Sequence, residues 1–517
     1  MSPRRPAAGH LPVTVALVLV LLFAGGSGRW QAAGEITAVA TLRKAYDAVL
    51  NARFDRASRI LDTACGPAPA EACLVLEATS LWWQILLNPR DTSLDATFLA
   101  RVEEAIAACE RWTEREPRRA EAWFYLGGAY GARVSWRVER GERLAAARDG
   151  KRIKEALERA LEIAPGLQDA RFGIGLYKYY ADIAPAVARF LRFLLLLPGG
   201  DREAGLADME ATSVHGELLS GEAEYQLHWI YFWYEDAPER GLARLEHLRS
   251  RYPANPHFLQ RIAEVRETYF HDPAGSLAAW RTLAETASRS GAPMIAEVRG
   301  RLGIAAQLDR LFETDRAIDQ LRKVLASNPT APFGARARAH VQMGLAFERL
   351  GETDQAHAAY RAALAALPPG DPEEIEDEAR AGLRRRPRGR QGEAYRLSLQ
   401  GWRALEQGAR ESALRLLQRA AALSPDDGMI RARLGRARAA QGDAETALRE
   451  FDRVIAARAT ISPIALASAY LWSGKVFQGR GDLHAAAERY RAATHVFGTD
   501  SRLVLEARRA LTRLEDR

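Results

Sequence analysis

The chain has 517 residues, more than one compact core holds, and its 48% hydrophobic and 27% charged residues exclude wholesale disorder. A net charge of +7, from 73 basic against 66 acidic residues, permits contact with nucleic acid or anionic lipid and demands neither. Three cysteines, Cys65, Cys73 and Cys109, without paired CxxC spacing, make no zinc site.

Arg4 and Arg5 precede an apolar run from Leu11 to Ala24, and Gly25, Gly26, Ser27 and Gly28 follow. That is the charge, core and exit pattern of a secretory signal over residues 1–28. The run is too short for a bilayer core that needs roughly 20 helical residues, and no cysteine follows it to carry a lipoprotein anchor. Export is expected, to the periplasm or beyond, with a bacterial source inferred from the Ala, Arg and Leu-rich composition. The alternative is an uncleaved anchor extending to Trp30.

A helical array is expected from residue 35 to 369. Leu42, Ala45, Tyr46, Val49 and Leu50, then Phe54, Ala57, Ile60 and Leu61, recur at helical spacing and give a first helix pair. Cys65 and Cys73 flank the next turn. They either pair across it, closing a short loop worth roughly 2–3 kcal/mol, or are two small buried residues at helix contacts. Leu74–Leu87 is apolar nearly all round, so Trp82 and Trp83 belong in the interior. Leu94–Trp112, holding Cys109, follows.

Ala122–Tyr130 reads AWFYLGGAY and Ile153–Ile163 answers it as a second helix ending at Pro165, with about 14 residues, around the charged stretch Arg133–Lys151, beyond a regular repeat. The extra length is either a projecting contact loop or a lengthened helix pair. Residues 171–206 depart from the pattern. Within them Phe190–Leu197 is an aliphatic run, read as a helix touching membrane, with Arg189 and Arg192 at the lipid surface, or as a buried helix. Tyr225, Trp229, Phe232 and Trp233 form an aromatic stripe of the kind that packs in a core, and Pro238–Tyr252 supplies its partner helix. Pairs over Phe258–Ala287 and Ile295–Leu325 come next.

From Ala335 onward a single ruler applies. Gly344, Gly401, Gly435 and Gly474 each stand seven residues before a second glycine, Gly351, Gly408, Gly442 and Gly481, and each of those precedes an alanine by five, Ala356, Ala413, Ala447 and Ala486. The first small residue lets two antiparallel helices approach, the second glycine ends the first helix, and the alanine sits at the crossing. Between the first two copies, acids from Asp371 to Glu378 and arginines from Arg384 to Arg390 predict an extra charged helix from Pro372 to Arg386 and a hinge from Pro387 to Gly392, within residues 370–392. Residues 393–517 then hold three repeats and a polar capping helix at Arg502–Leu514.

These spacings resemble the tetratricopeptide repeat, whose period is about 34 residues, the distance from Gly401 to Gly435. The resemblance implies an all-α, right-handed superhelical solenoid of antiparallel helix pairs, a scaffold whose partners are other proteins or extended peptides. A second resemblance rests on Asp201, Arg202, Glu203, Gly205 and Leu206. Gly173–Tyr252 is similar to the middle of the tetratricopeptide repeat family thirty-nine and the inclusion-body clearance proteins. Those are helical adaptors without known catalytic chemistry, mainly intracellular, and the export signal departs from that pattern.

No phosphate loop, dinucleotide fingerprint, nucleophile elbow or HExxH motif is present. Five of the ten histidines lie between His215 and His271, none one turn from the next, and His484 with Glu488 is a solvated pair on an alanine-rich helix. No enzyme, cofactor or metal is expected, and a nucleic-acid role for the arginine run lacks interleaved aromatics. Counting from the first glycines, the inner groove should be lined by Phe124, Arg338, Glu348, Arg349, Tyr395, Trp402, Arg436 and Lys475, a basic and aromatic surface suited to an extended peptide with acidic groups.

Overall fold

The computed structural model describes residues 36–183, 199–290, 294–367, 370 and 374–515, so the expected export signal and Phe190–Leu197 lie outside the described residues. Within them there are 24 α-helices and no strand. The N-terminal part holds α1 (Val39–Leu50), α2 (Phe54–Ala64), α3 (Ala70–Leu87), α4 (Asp95–Arg115), α5 (Ala120–Glu139), α6 (Arg143–Ile163), α7 (Gln168–Ile183), α8 (Arg202–His215), α9 (Ser220–Trp233), α10 (Pro238–Arg251) and α11 (Pro256–Thr268). The middle holds α12 (Pro273–Ser290), α13 (Met294–Arg310), α14 (Thr314–Ala326), α15 (Ala335–Arg349), α16 (Thr353–Ala365) and α17 (Ile375–Arg384). The C-terminal array is α18 (Gly389–Glu406), α19 (Arg410–Leu423), α20 (Gly428–Ala440), α21 (Ala444–Ala456), α22 (Pro463–Gly479), α23 (Leu483–Thr494) and α24 (Ser501–Glu515). Among the described residues consecutive helices pack on one another, except α17 and α18, where α15 touches α18 instead, and the result is an all-α solenoid of helix pairs.

The repeat ruler has a physical counterpart at each position. Gly351, Gly408, Gly442 and Gly481 take φ between +74° and +85°, and the next residue returns its N–H to the carbonyl five back, as Glu352 does to Phe347 and Ala409 to Ala404. That is how the first helix stops. Ala356, Ala413, Ala447 and Ala486 are fully buried at the crossings. A Cβ at Gly344, Gly435 or Gly474 would stand 2.4–2.7 Å from the ring of Tyr360, Phe451 or Tyr490. These aromatic rings lie on bare backbone.

The N-terminal array uses its inner face differently. Tyr46 of α1 donates its hydroxyl to Glu222 of α9 at 2.9 Å, Tyr252 donates to Asp47 at 2.7 Å, and the Asn255 amide donates to the Leu50 carbonyl at 2.7 Å. Contacts across some 200 residues of sequence thus bring α1 back against α9 to α11. The space between is filled by Trp83, 1% exposed, with ring centres 5.0 Å from Tyr225 and 6.2 Å from Phe258. Helix α3 is long and apolar enough to cross a membrane, yet it carries this residue into the middle of the stack.

Of the two readings of the extra residues after Tyr130, the lengthened helix pair is the one present: α5 and α6 are extended and turn at Arg140–Glu142. The extension is held by Arg133, which donates to both Asp149 oxygens at 2.8 and 2.7 Å and to Glu103, a buried fork that ties α5 to α6. Trp233, expected in the core, is 62% exposed, because Phe232 takes the inward position at the end of α9. The hinge shortens, since helix resumes at Gly389. The extra charged helix runs as α17 over Ile375–Arg384 and packs into the stack: Ile375 and Ala379 are fully buried, and Gly382 lies against the edge of the Tyr360 ring opposite the one that Gly344 meets.

Cys65 and Cys73 are joined in a disulfide with Cα atoms 6.1 Å apart at the α2–α3 turn. Cys109 is a buried free thiol whose pKa burial pushes up to about 12.

Candidate functional site

In the C-terminal array the first helices are α18, α20 and α22. Asp427 caps α20 by accepting from the Ile430 amide, and Ser462 caps α22 from the Ala465 amide with Pro463 in the first turn. These caps fix where α20 and α22 begin, and the residues one place after the first glycines of the three helices, Trp402, Arg436 and Lys475, fall into a single line.

That line is a column of cations and rings. Arg349 closes one end, its guanidinium carbon 5.8 Å from the Phe312 ring centre and 6.0 Å from that of Tyr395. Tyr395 forms the floor, its hydroxyl 2.8 Å from the Thr314 hydroxyl, and burial raises its pKa. Arg433 follows, buried, donating to the Ser398 hydroxyl at 3.1 Å and the Phe312 carbonyl at 2.7 Å. Its guanidinium lies 5.7 Å from the Trp402 ring centre. Arg436 comes next, 4.1 Å from Trp402 and 3.9 Å from Trp472. Lys475 lies 3.9 Å from Trp472 and pairs with Glu506 of α24. Desolvation lowers the pKa of both Arg433 and Arg436, the latter to about 10. The members other than Arg433 and Tyr395 are half-buried, a surface that is walled but reachable.

Of the eight residues counted from the glycines, Arg349, Tyr395, Trp402, Arg436 and Lys475 come together here. The other three do not. Phe124 is 4% exposed and packs against Tyr125 inside the N-terminal core, so it offers no groove surface. Arg338 is bonded to Glu378 at 2.7 Å and Glu348 faces Arg385 at 3.3 Å, because the extra helix α17 lies over α15 and takes both. Sequence reasoning missed Arg433, Trp472 and Glu506. The first two stand three residues before Arg436 and Lys475, one helical turn along the same face, and that spacing was the available signal. Glu506 comes from the cap, outside the repeat.

A separate recess of about 320 Å³ lies among α11, α13 and α15, with Glu264 and Glu267 in its wall. Glu264 is already bonded to Arg261 and Gln260, and Glu267 to Gln307 and Arg310. Neither carboxylate stands free for acid–base work. No cluster of three or more potential His, Cys, Asp or Glu metal ligands forms among the described residues.

No curated protein matches this sequence. Among solved structures, the chain is similar to a tetratricopeptide repeat protein from Parabacteroides merdae ATCC 43184, at 16% identity over 57% of this chain and 99% of that one, with a TM-score of 0.26. It is also similar to a chain of the APC/C hetero-tetramer Cut9–Hcn1, at 14% identity over 93% and 96% with a TM-score of 0.23. A third match is the P58(IPK) TPR domain, at 14% identity over 86% and 98% with a TM-score of 0.23. Whole-chain superposition on all three is poor, and the fold rests on the helix pairs themselves. Residues 404–475 match the family model described as Tetratricopeptide repeat, and the resemblance over Gly173–Tyr252 lies outside that match. The chain therefore carries tetratricopeptide repeats, matched in sequence over residues 404–475 within the C-terminal array, and helix pairs also form the stack upstream.

Proposed function

We propose that this protein is a non-enzymatic scaffold of the bacterial cell envelope, whose C-terminal array grips an extended segment of a partner protein. Tetratricopeptide repeats are protein-interaction modules, and one observation carries the specific reading: Arg349, Trp402, Arg436 and Lys475, on successive first helices, form a continuous half-buried line of cations and rings. Such a line offers stacking walls and charge along a path, which suits an extended chain. The signal-like segment Met1–Gly28 supports export, and the Cys65–Cys73 disulfide is of a kind that persists in an oxidising compartment.

The test is affinity capture from the envelope fraction of the native cell with the wild-type chain and with Arg349→Glu, Arg436→Glu and Lys475→Glu combined. A partner held by the first and lost by the second is expected; capture unchanged by the triple reversal sinks the groove. N-terminal sequencing of the envelope protein is expected to begin after Gly28, and an intact Met1 in a soluble cytoplasmic fraction removes the export reading. A second reading, contact with a membrane surface, is favoured by exposed Tyr180, Trp233 and Tyr234, the two tyrosine rings 5.7 Å apart. Failure of the purified chain to sediment with anionic liposomes, or sedimentation unchanged by Trp233→Ala with Tyr234→Ala, closes it.

A further inference from the structure

We infer that Arg436 is the seat of a carboxylate: its guanidinium, packed against Trp402 and Trp472, takes an acidic side chain from the interior of an extended protein segment. The inference rests on the groove reading above and names its chemistry.

The cations around Arg436 are already occupied. Arg349 is bonded to Asp309, Arg403 to Asp315 and Glu406, and Lys475 to Glu506, while Arg433 spends its N–H groups on Ser398 and the Phe312 carbonyl. Arg436 has no hydrogen bond or ion pair among the described residues. The carboxylates that reach it through space, Glu506 and Glu406, are the ones committed to Lys475 and Arg403. Its Nε is sealed without a partner, whereas the two terminal nitrogens are not enclosed in this way. A guanidinium partly stripped of water and given no counter-ion is an unfavourable arrangement that a bound anion relieves. Arg433, one turn away on the same helix, also lacks a carboxylate, so the middle of the column has two cations and no paired anion.

The surroundings bear on the anion. Ring centres at 4.1 and 3.9 Å from the guanidinium carbon put two indoles against the group, and its terminal nitrogens stay reachable. A planar carboxylate accepts two parallel N–H bonds from such a fork and needs less room beside the indoles than a tetrahedral phosphate. Arg436 also sits on the central first helix, with column residues on both sides, so a ligand chain that reaches it continues in both directions. This favours an internal aspartate or glutamate over a terminal carboxylate.

The experiment measures fluorescence anisotropy of a labelled, C-terminally amidated dodecapeptide of alternating glutamate and leucine, against purified full-length chain. The comparison probes are its glutamine–leucine counterpart, the same counterpart with a free C-terminus, and a phosphoserine–leucine version. At least a tenfold preference for the glutamate peptide over amidated glutamine is expected, abolished by Arg436→Gln without a fall in the melting temperature of the free chain. Equal binding of glutamate and glutamine peptides, lost in the triple reversal, overturns the inference and leaves the groove. Binding of neither peptide overturns both. Tightest binding of the free-terminus or phosphoserine peptide, or a preference indifferent to Arg436→Gln, also overturns it. Should Arg436→Gln melt lower or fail to fold, Arg436→Lys decides: the point charge without the fork is expected to lose the preference at least threefold, and an unchanged preference sinks the inference.

Discussion

The N-terminal and C-terminal arrays are built from the same helix pair and put its inner face to opposite uses. In the first, α1 returns to α9 through α11, and Trp83, Tyr225, His257 and Phe258 occupy the space a groove would need. In the second, the inner line stays half-buried and carries Arg436 and Lys475 against indoles. Large rings at inward positions fill the first array, while cations that need water or an anion hold the second open. Solenoid geometry alone therefore does not make a binding groove; the residue on the inner line decides.

The largest effect that tests this contrast is Trp83→Ala. Removing a ring 1% exposed from the centre of the closed array should cost about 3–5 kcal/mol. Repeats couple mainly to their neighbours, so hydrogen exchange should rise across α1 to α11 and stay unchanged across α18 to α24. Equal acceleration in both arrays would mean that they do not behave as separate cooperative units.

Acid should separate the two halves as well. Burial, with Arg261 and Arg299 nearby, pushes the His257 pKa down to about 3, and burial also drives that of His228 well below the usual histidine range. An unfolded histidine titrates near 6.5, so below that the unfolded chain binds protons that the folded one refuses. The stability is complete above about pH 6.5 and is lost as pH falls toward 3, by about 1.4 kcal/mol per pH unit for each such histidine. Half-buried Glu222 and buried Glu224 and Asp169, raised mainly by desolvation, work in the opposite sense and favour the folded state in acid. His257→Gln isolates one term. Its stability should fall less steeply than wild type between pH 6.5 and 4.5, by that slope, with exchange confined to the N-terminal array. An identical slope would mean that His257 is not held neutral. A smaller local effect is expected on reducing Cys65–Cys73: loop closure across the turn predicts a loss of about 2–3 kcal/mol, read as faster exchange in α2 and α3 and none in α20.

How much of this was legible in the sequence differs between the halves. The C-terminal ruler is made of glycine and alanine, whose roles are steric and local, so Gly408 and Ala413 announce a turn and a crossing without knowledge of any partner. Five of the eight groove residues followed from that ruler. Phe124 did not, because its burial depends on how the whole N-terminal array packs. Arg338 and Glu348 did not either: the charged stretch after Pro372 read as a helix, but nothing in its spacing said which face it would cover. Arg436 was legible as a position and not as an unpaired cation, since pairing depends on where Glu406 and Glu506 spend their charge.

The smallest predicted effect separates the two glycines of the ruler. At Gly408 a Cβ meets nothing within 4 Å, but the backbone stands at φ +80°, so Gly408→Ala costs only the left-handed conformation, about 1 kcal/mol. At Gly435 the backbone is ordinary helix, and a Cβ would stand 2.6 Å from the Phe451 ring, so Gly435→Ala must move a packed ring, at about 1–3 kcal/mol. Urea midpoints should rank the two accordingly, and trimming the ring with Phe451→Leu should shrink the Gly435→Ala penalty while leaving that of Gly408→Ala alone. If the Phe451→Leu background spares both equally, the first glycine is a turn-former rather than a spacer, and the alignment of α18, α20 and α22 that brings Arg436 against its indoles has another cause.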